Sequence, residues 1–105
     1  MIILTINSGS SSVKLAAFDA RRAEAPSLMV RARLTRDAAL PEAALASFLR
    51  DLHDAPIVAA AHRIVHGGTR FTRPVRIDDT VVPAIEALSA LAPLHNPVGL
   101  RWIAA

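Results

Sequence analysis

The chain has 105 residues, 52% of them hydrophobic and 20% charged, with a formal charge of +3 and no cysteine. That is one domain's worth of residues, with enough apolar material for a core and too little charge for a disordered tail. A chain without cysteine has no disulfide scaffold, no thiolate zinc site and no cysteine nucleophile, which fits a reducing compartment. Alanine fills 21 positions, so much of the apolar fraction is small and the core is expected to rest on Phe18, Phe48, Phe71 and Trp102. The basic residues are 11 arginines and one lysine, Lys14. The arginines are scattered, with no basic run longer than Arg21-Arg22, and aromatics for base stacking are few, which argues against a nucleic-acid partner.

Met1–Ile6 is apolar but lacks a basic leader and is cut off by polar Asn7–Ser12, too short for a signal peptide or a membrane span. The chain therefore reads as soluble, cytoplasmic and without a membrane partner. Ile2–Ile6 is a short β-branched run and predicts a strand. Ser8-Gly9-Ser10-Ser11-Ser12 is turn chemistry, with a glycine free to take positive φ among hydroxyls that bond local backbone. Val13–Phe18 is apolar again, so strand, polar turn and strand predict a β-hairpin. Ser27–Leu34 alternates, with Leu28, Val30, Ala32 and Leu34 on one face and Arg31 and Arg33 on the other, which predicts a half-exposed third strand.

Pro41 opens a helix through about Leu52, with Leu45, Phe48, Leu49 and Leu52 at spacings of three and four. Ile57–Val65 reads as a buried strand ended by the turn that Gly67-Gly68 forces. Asp78 and Asp79 precede a helix over Val81–Leu91, with Pro83 tolerated in its first turn and Ile85, Leu88 and Leu91 on one stripe. A third helix begins after Pro97, with Asn96 its expected N-cap, and is still running at Ala105. The order β-β-β-α-β-α predicts a mixed α/β sheet that starts as a meander, and the strand such a sheet would place after the second helix is not found in the sequence.

Three stretches carry chemistry. In Asn7–Lys14, a polar glycine turn between two apolar strands aims backbone N–H groups and hydroxyls into one concavity, which suits phosphate oxygens. Lys14 adds a mobile point charge, and the Asn7 carbonyl oxygen can ligate or orient a hydrated Mg²⁺. The stretch is not a Walker A loop, since Val13 precedes Lys14 and Leu15 follows it; an ordinary Ser-Gly hairpin turn is the plain alternative. In His62–Gly68, the two histidines are four apart, but β-branched Ile64-Val65 before Gly-Gly argue for a strand end and against a helical metal pair. Strand alternation puts Arg63 and Val65 on one surface, a cation beside an aliphatic patch that suits a small carboxylate or acyl phosphate. Histidines that only satisfy buried backbone are the alternative there. In Leu91–Pro97, two prolines bracket His95-Asn96 and make a rigid turn.

Taken together and in this order, the three stretches resemble signature blocks of the acetate kinase family, the acetate and propionate kinases of the sugar kinase/actin/Hsp70 superfamily. Leu4–Lys14 is similar to the first signature, His62–Gly68 to the second and Leu91–Pro97 to a third block. The likeness covers nearly the whole chain except the variable stretch from about Arg21 to Pro56. It implies an actin-like, ribonuclease-H-like α/β fold and reversible phosphoryl transfer from ATP to acetate or propionate, giving an acyl phosphate and ADP. Carried over by position, Asn7 matches the Mg²⁺-site asparagine and Lys14 the nucleotide-binding lysine. Ser10 and Ser12 match phosphate-side hydroxyls, Arg63 the substrate-binding arginine, and Val65 and Leu94 apolar residues around the acyl group.

Members of that family are several times longer, homodimeric, and built of two related domains with the active site between them. The resemblance therefore makes residues 1–105 the N-terminal part of the first domain, with the second domain absent from this chain. The family's catalytic acid/base and adenosine-binding segments fall beyond residue 105, so no catalytic residue is assigned and the chain alone is expected to be inactive. A non-catalytic phosphate- or carboxylate-binding module, or a regulatory remnant, is the rival reading.

Overall fold

The computed structural model describes residues 1–9, 11–22, 24–35, 40–53 and 55–105. β1 (Ile2–Ser8) and β2 (Ser12–Asp19) form the expected antiparallel hairpin, with Ile6 opposite Leu15 and Asn7 opposite Lys14. β3 (Ser27–Thr35) adds antiparallel to β2, with a bulge at Ala17/Phe18. α1 (Pro41–Arg50) follows, two residues shorter than expected, and Leu52 is buried just past it. β4 (Ile57–Arg63) then lies parallel to β1, so that among the described residues the strand order is β3-β2-β1-β4. α2 (Val81–Ala87), a 3₁₀ turn (Ser89–Leu91) and α3 (Asn96–Ala104) complete the chain.

The period-2 pattern divides the sheet into two unlike faces. Ile2, Leu4 and Ile6 of β1 and Val13, Leu15 and Ala17 of β2 are buried in one cluster with Phe48 and Leu52 from the α1 side and Val98 and Trp102 of α3. Fully burying a side chain of this kind contributes about 1.5–3 kcal/mol, so this face holds the domain together. Only two of the four aromatics, Phe48 and Trp102, anchor it. Phe18 lies on the alternate register and Phe71 outside the strands, and both are half-buried.

Several sequence expectations are corrected. The segment from Ile57 is not a buried strand: it ends at Arg63, and Ile57–Ala61 are all exposed. The cause is position, because β4 is the edge of the sheet and, among the described residues, pairs with β1 alone. The second helix stops at Ala87, where the backbone tightens into the 3₁₀ turn, leaving Leu91 exposed and off the Ile85 stripe. Leu28 likewise faces solvent at the end of β3, beyond the bulge. Asp78 does mark the start of α2, since its Oδ1 accepts bonds from the Thr80 hydroxyl (2.7 Å) and the Val81 N–H (3.0 Å). Those bonds, led by the one from the Thr80 side chain, hold its carboxyl below the usual range. None of the helices among the described residues is long and apolar enough to cross a membrane.

Candidate functional site

The β1–β2 turn is closed by a Gly9 N–H to Ser12 carbonyl bond of 2.8 Å. Gly9 does not use positive φ, contrary to the sequence expectation. Its reason is space, because a Cβ there would sit 3.3 Å from the Ser12 carbonyl oxygen. Ser8 and Ser12 are buried, and Ser10 lies outside the described residues.

One step below this turn, sheet register collects the charged side chains. Asn7 of β1 is opposite Lys14 of β2 on one side and opposite Arg63 of β4 on the other. Directly opposed residues share a face, so Lys14, Asn7 and Arg63 form a row across three strands on the face away from the core. Arg63 and Lys14 are exposed and Asn7 is half-buried. The Arg63 Nη1 donates to Asn7 Oδ1 at 3.5 Å, the long limit of a hydrogen bond. The amide oxygen is thus oriented by the guanidinium while remaining free to take another contact.

The row is held from behind by α3. Gly99 packs where a Cβ would lie 3.1 Å from Ile64 Cδ1 and 3.8 Å from Ser8 Oγ, so the helix closes on the ends of β1 and β4 together. Asn96, expected as an N-cap, makes no side-chain cap. It is instead 1% exposed and clamps the strand end: its Nδ2 donates to the His66 carbonyl (3.0 Å) and its Oδ1 accepts from the His66 N–H (3.4 Å). The Asn96 amide, buried and left unpaired, would cost about 1–3 kcal/mol. Asn96 is therefore bound to a segment 30 residues away, a role that local capping rules cannot supply.

The His66 ring accepts the Gly68 N–H at Nδ1 (3.0 Å), so that nitrogen serves the turn. No group of three or more His, Asp or Glu able to hold a metal exists among the described residues. Val65 (40% exposed) follows Arg63 by two residues, and Leu94 (66% exposed) lies on the turn before α3. The structure thus brings Asn7, Lys14 and Arg63 together by register and places Val65 and Leu94 on the two segments that Asn96 ties to each other. Both apolar side chains point to solvent in this chain.

His62 faces the helix side, opposite Ile6. Burial pushes its pKa below the ordinary 6.5, and its Nδ1 has no hydrogen-bond partner among the described residues. An unfolded ring takes up its proton near pH 6.5 while the folded ring resists, so the folded state is favoured above that pH and loses this advantage as pH falls below it. Urea midpoints are expected to drop between pH 7.5 and 5.5 in the parent and to drop less in His62→Gln. Equal slopes in the two proteins would place the acid sensitivity elsewhere.

A sequence profile of the acetokinase family matches residues 36–105. The chain belongs to the acetokinase family. It is 38% identical over 118 residues to the acetate kinase of Micrococcus luteus, covering all of this chain and 30% of that protein. It is also 38% identical over 136 residues to acetate kinase 2 of Vibrio cholerae serotype O1, covering 98% of this chain and 32% of the relative. Among solved structures, the acetate kinase of Porphyromonas gingivalis superimposes with a TM-score of 0.77 at 26% identity, over 98% of this chain and 33% of that one. A propionate kinase from Francisella tularensis gives 0.70 at 28% identity, over 97% and 32%. This acetokinase chain therefore spans about a third of the length of the relatives it matches, and its mixed α/β sheet is theirs.

Proposed function

We propose that these residues form the phosphate- and carboxylate-facing part of a kinase that transfers a phosphoryl group from ATP to acetate or propionate. The observation that carries the reading is the Lys14–Asn7–Arg63 row, which sets two cations of different geometry on either side of one amide oxygen. In the transfer, a carboxylate oxygen forms a bond to the γ-phosphorus, the bond from that phosphorus to the β-bridging oxygen breaks, and ADP leaves with the electron pair. No proton need move. Such chemistry depends on positioning and charge neutralisation. The Arg63 fork matches a carboxylate in two-pronged fashion, whereas Lys14 acts as a point charge on phosphate oxygens. Ser12, and Ser10 by its place in the sequence, would add hydroxyl donors on the phosphate side, and Val65 and Leu94 would close on the acyl carbons.

Asn7 offers one neutral oxygen between two cations, and no carboxylate stands in the row. These residues fit one contact to a Mg²⁺ that keeps its waters and arrives on the phosphates, which is how that ion is usually held. In the whole protein, residues 1–105 would belong to the first of two actin-like domains of a cytoplasmic homodimer.

The test is a chimera in which these 105 residues replace the segment they align with in the Micrococcus luteus acetate kinase, assayed beside the 105-residue chain. The chimera is expected to make acetyl phosphate or propionyl phosphate, and the chain alone to read background, since Lys14 and Arg63 lie exposed on an open sheet face where water screens their charges. A folded chimera that binds both substrates without turnover would replace the kinase reading by that of a non-catalytic binding module.

A further inference from the structure

The row that crosses β1, β2 and β4 does not end at Lys14. Register places Arg33 of β3 directly opposite Lys14, so a fourth side chain, and a third cation, joins the same face at the same level. The four strands hold four lysine or arginine side chains, Lys14, Arg31, Arg33 and Arg63, and the pairings put all of them on this face. The one acid in the strands, Asp19, lies on the alternate register at the far end of β2 and is held by Arg21 at 2.6 Å. Neighbouring strands are about 4.8 Å apart, so Arg33 and Lys14 are like charges set side by side, an arrangement that disfavours the folded sheet. No carboxylate of the strands relieves it. A cavity of about 670 Å³ opens on this pair, reaching from Lys14 and Arg33 past Arg31 toward Phe18 and Leu28.

We propose that Arg33 and Lys14 together form a phosphate subsite, in which Arg33 is a further anchor of the polyphosphate chain of a nucleotide. The inference rests on the reading of Lys14 as a phosphate ligand and extends it by one strand. Two adjacent cations bracket one anionic group more favourably than either alone, and the bound anion removes their mutual repulsion. The planar fork of Arg33 also fixes orientation, which the point charge of Lys14 cannot do. Arg63, two strand steps from Lys14 on the far side of Asn7, stays with the carboxylate. Arg31 is opposite Ala16, two residues down the strand and about 7 Å below the row, and lies outside the subsite.

The experiment is a calorimetric titration of the 105-residue chain with sodium tripolyphosphate. It compares the parent with Arg33→Ala, Arg33→Lys, Lys14→Ala, Arg31→Ala, and Arg33→Ala combined with Lys14→Ala. Arg33→Ala and Lys14→Ala are each expected to weaken binding about tenfold, which is about 1.4 kcal/mol. Arg33→Lys, which keeps the charge and loses the fork, should recover part of the loss, and Arg31→Ala should change affinity less than about threefold. The double variant should lose less than the product of the singles, because both side chains hold one phosphate. A loss in Lys14→Ala with none in Arg33→Ala overturns the inference and leaves the Lys14 reading standing. No loss in either, or no binding by the parent, overturns both. Equal losses in Arg31→Ala and Arg33→Ala show a diffuse cationic face and also overturn it. Thermal unfolding of each variant within a few degrees of the parent, with rescue by Arg33→Lys, separates binding from misfolding.

Discussion

Replacing Arg63 by alanine in the full-length chimera is expected to weaken acetate recognition ten- to a hundredfold while leaving ATP affinity within about twofold. A charge-assisted hydrogen bond is worth about 1.5–3 kcal/mol, and each 1.4 kcal/mol is about a decade. Arg63 is exposed in this chain, so the lower end applies unless the bound substrate excludes water. Lysine at this position keeps the charge and loses the fork, and should recover only part of the affinity. Lys14→Ala should do the reverse, weakening ATP and sparing acetate, because Asn7 stands between the two side chains. The measurement is a pair of titrations, ATP and acetate, on each variant. Equal weakening of both ligands by Arg63→Ala would mean that the strand end has collapsed and that the two roles are not separate.

The largest effect on stability is expected at Gly67. A Cβ there would run into the Phe71 carbonyl oxygen and lie 2.8 Å from the Phe71 Cβ, and the same turn is closed by the Phe71 N–H bond to Gly67 oxygen at 3.0 Å. The obstruction is mostly backbone, so it cannot move without opening the turn. Gly67→Ala should therefore cost about 3 kcal/mol, the upper end for forcing atoms into filled space. Gly68 is a different case. It takes φ of +60, which costs other residues about 1–2 kcal/mol, but its added Cβ would meet only the flexible end of Leu88, at 2.9 Å. Gly68→Ala should cost about 1–2 kcal/mol. Urea unfolding of the two variants checks the order, and a larger loss at Gly68 than at Gly67 would show that the left-handed backbone outweighs the close approach.

The two adjacent glycines look alike in the sequence, and the difference between them illustrates where reading residues stops. Turn chemistry at Ser8–Ser12 and at Gly67-Gly68, the hairpin, the third strand and the start of α1 at Pro41 are all local, set by φ preferences and by side-chain alternation within a few residues. The likeness of Leu4–Lys14 and His62–Gly68 to family signatures was legible for the same reason: short blocks hold their spacing whatever surrounds them.

What the chain could not announce is which segments meet. The unbroken apolar run Ile57–Ala61 reads as a strand buried on both faces, and only its place at the sheet edge, paired with β1 alone among the described strands, makes β4 exposed. The length of α2 is not legible in the sequence because its apolar stripe continues after the backbone has tightened at Leu88. Asn96 has the composition of a cap and the job of a clamp, since its partner is the His66 backbone 30 residues earlier.

The sequence by itself determined the order of the elements and the residue types on which the proposed site draws. Only the tertiary structure decided that Arg33, Lys14, Asn7 and Arg63 stand in one row, because strand register joins positions up to 56 residues apart. Side-chain alternation fixes the face each residue takes on its own strand and the turn fixes the level at which β1 and β2 meet, but β1 and β4, far apart in the chain, take their level only in the assembled sheet.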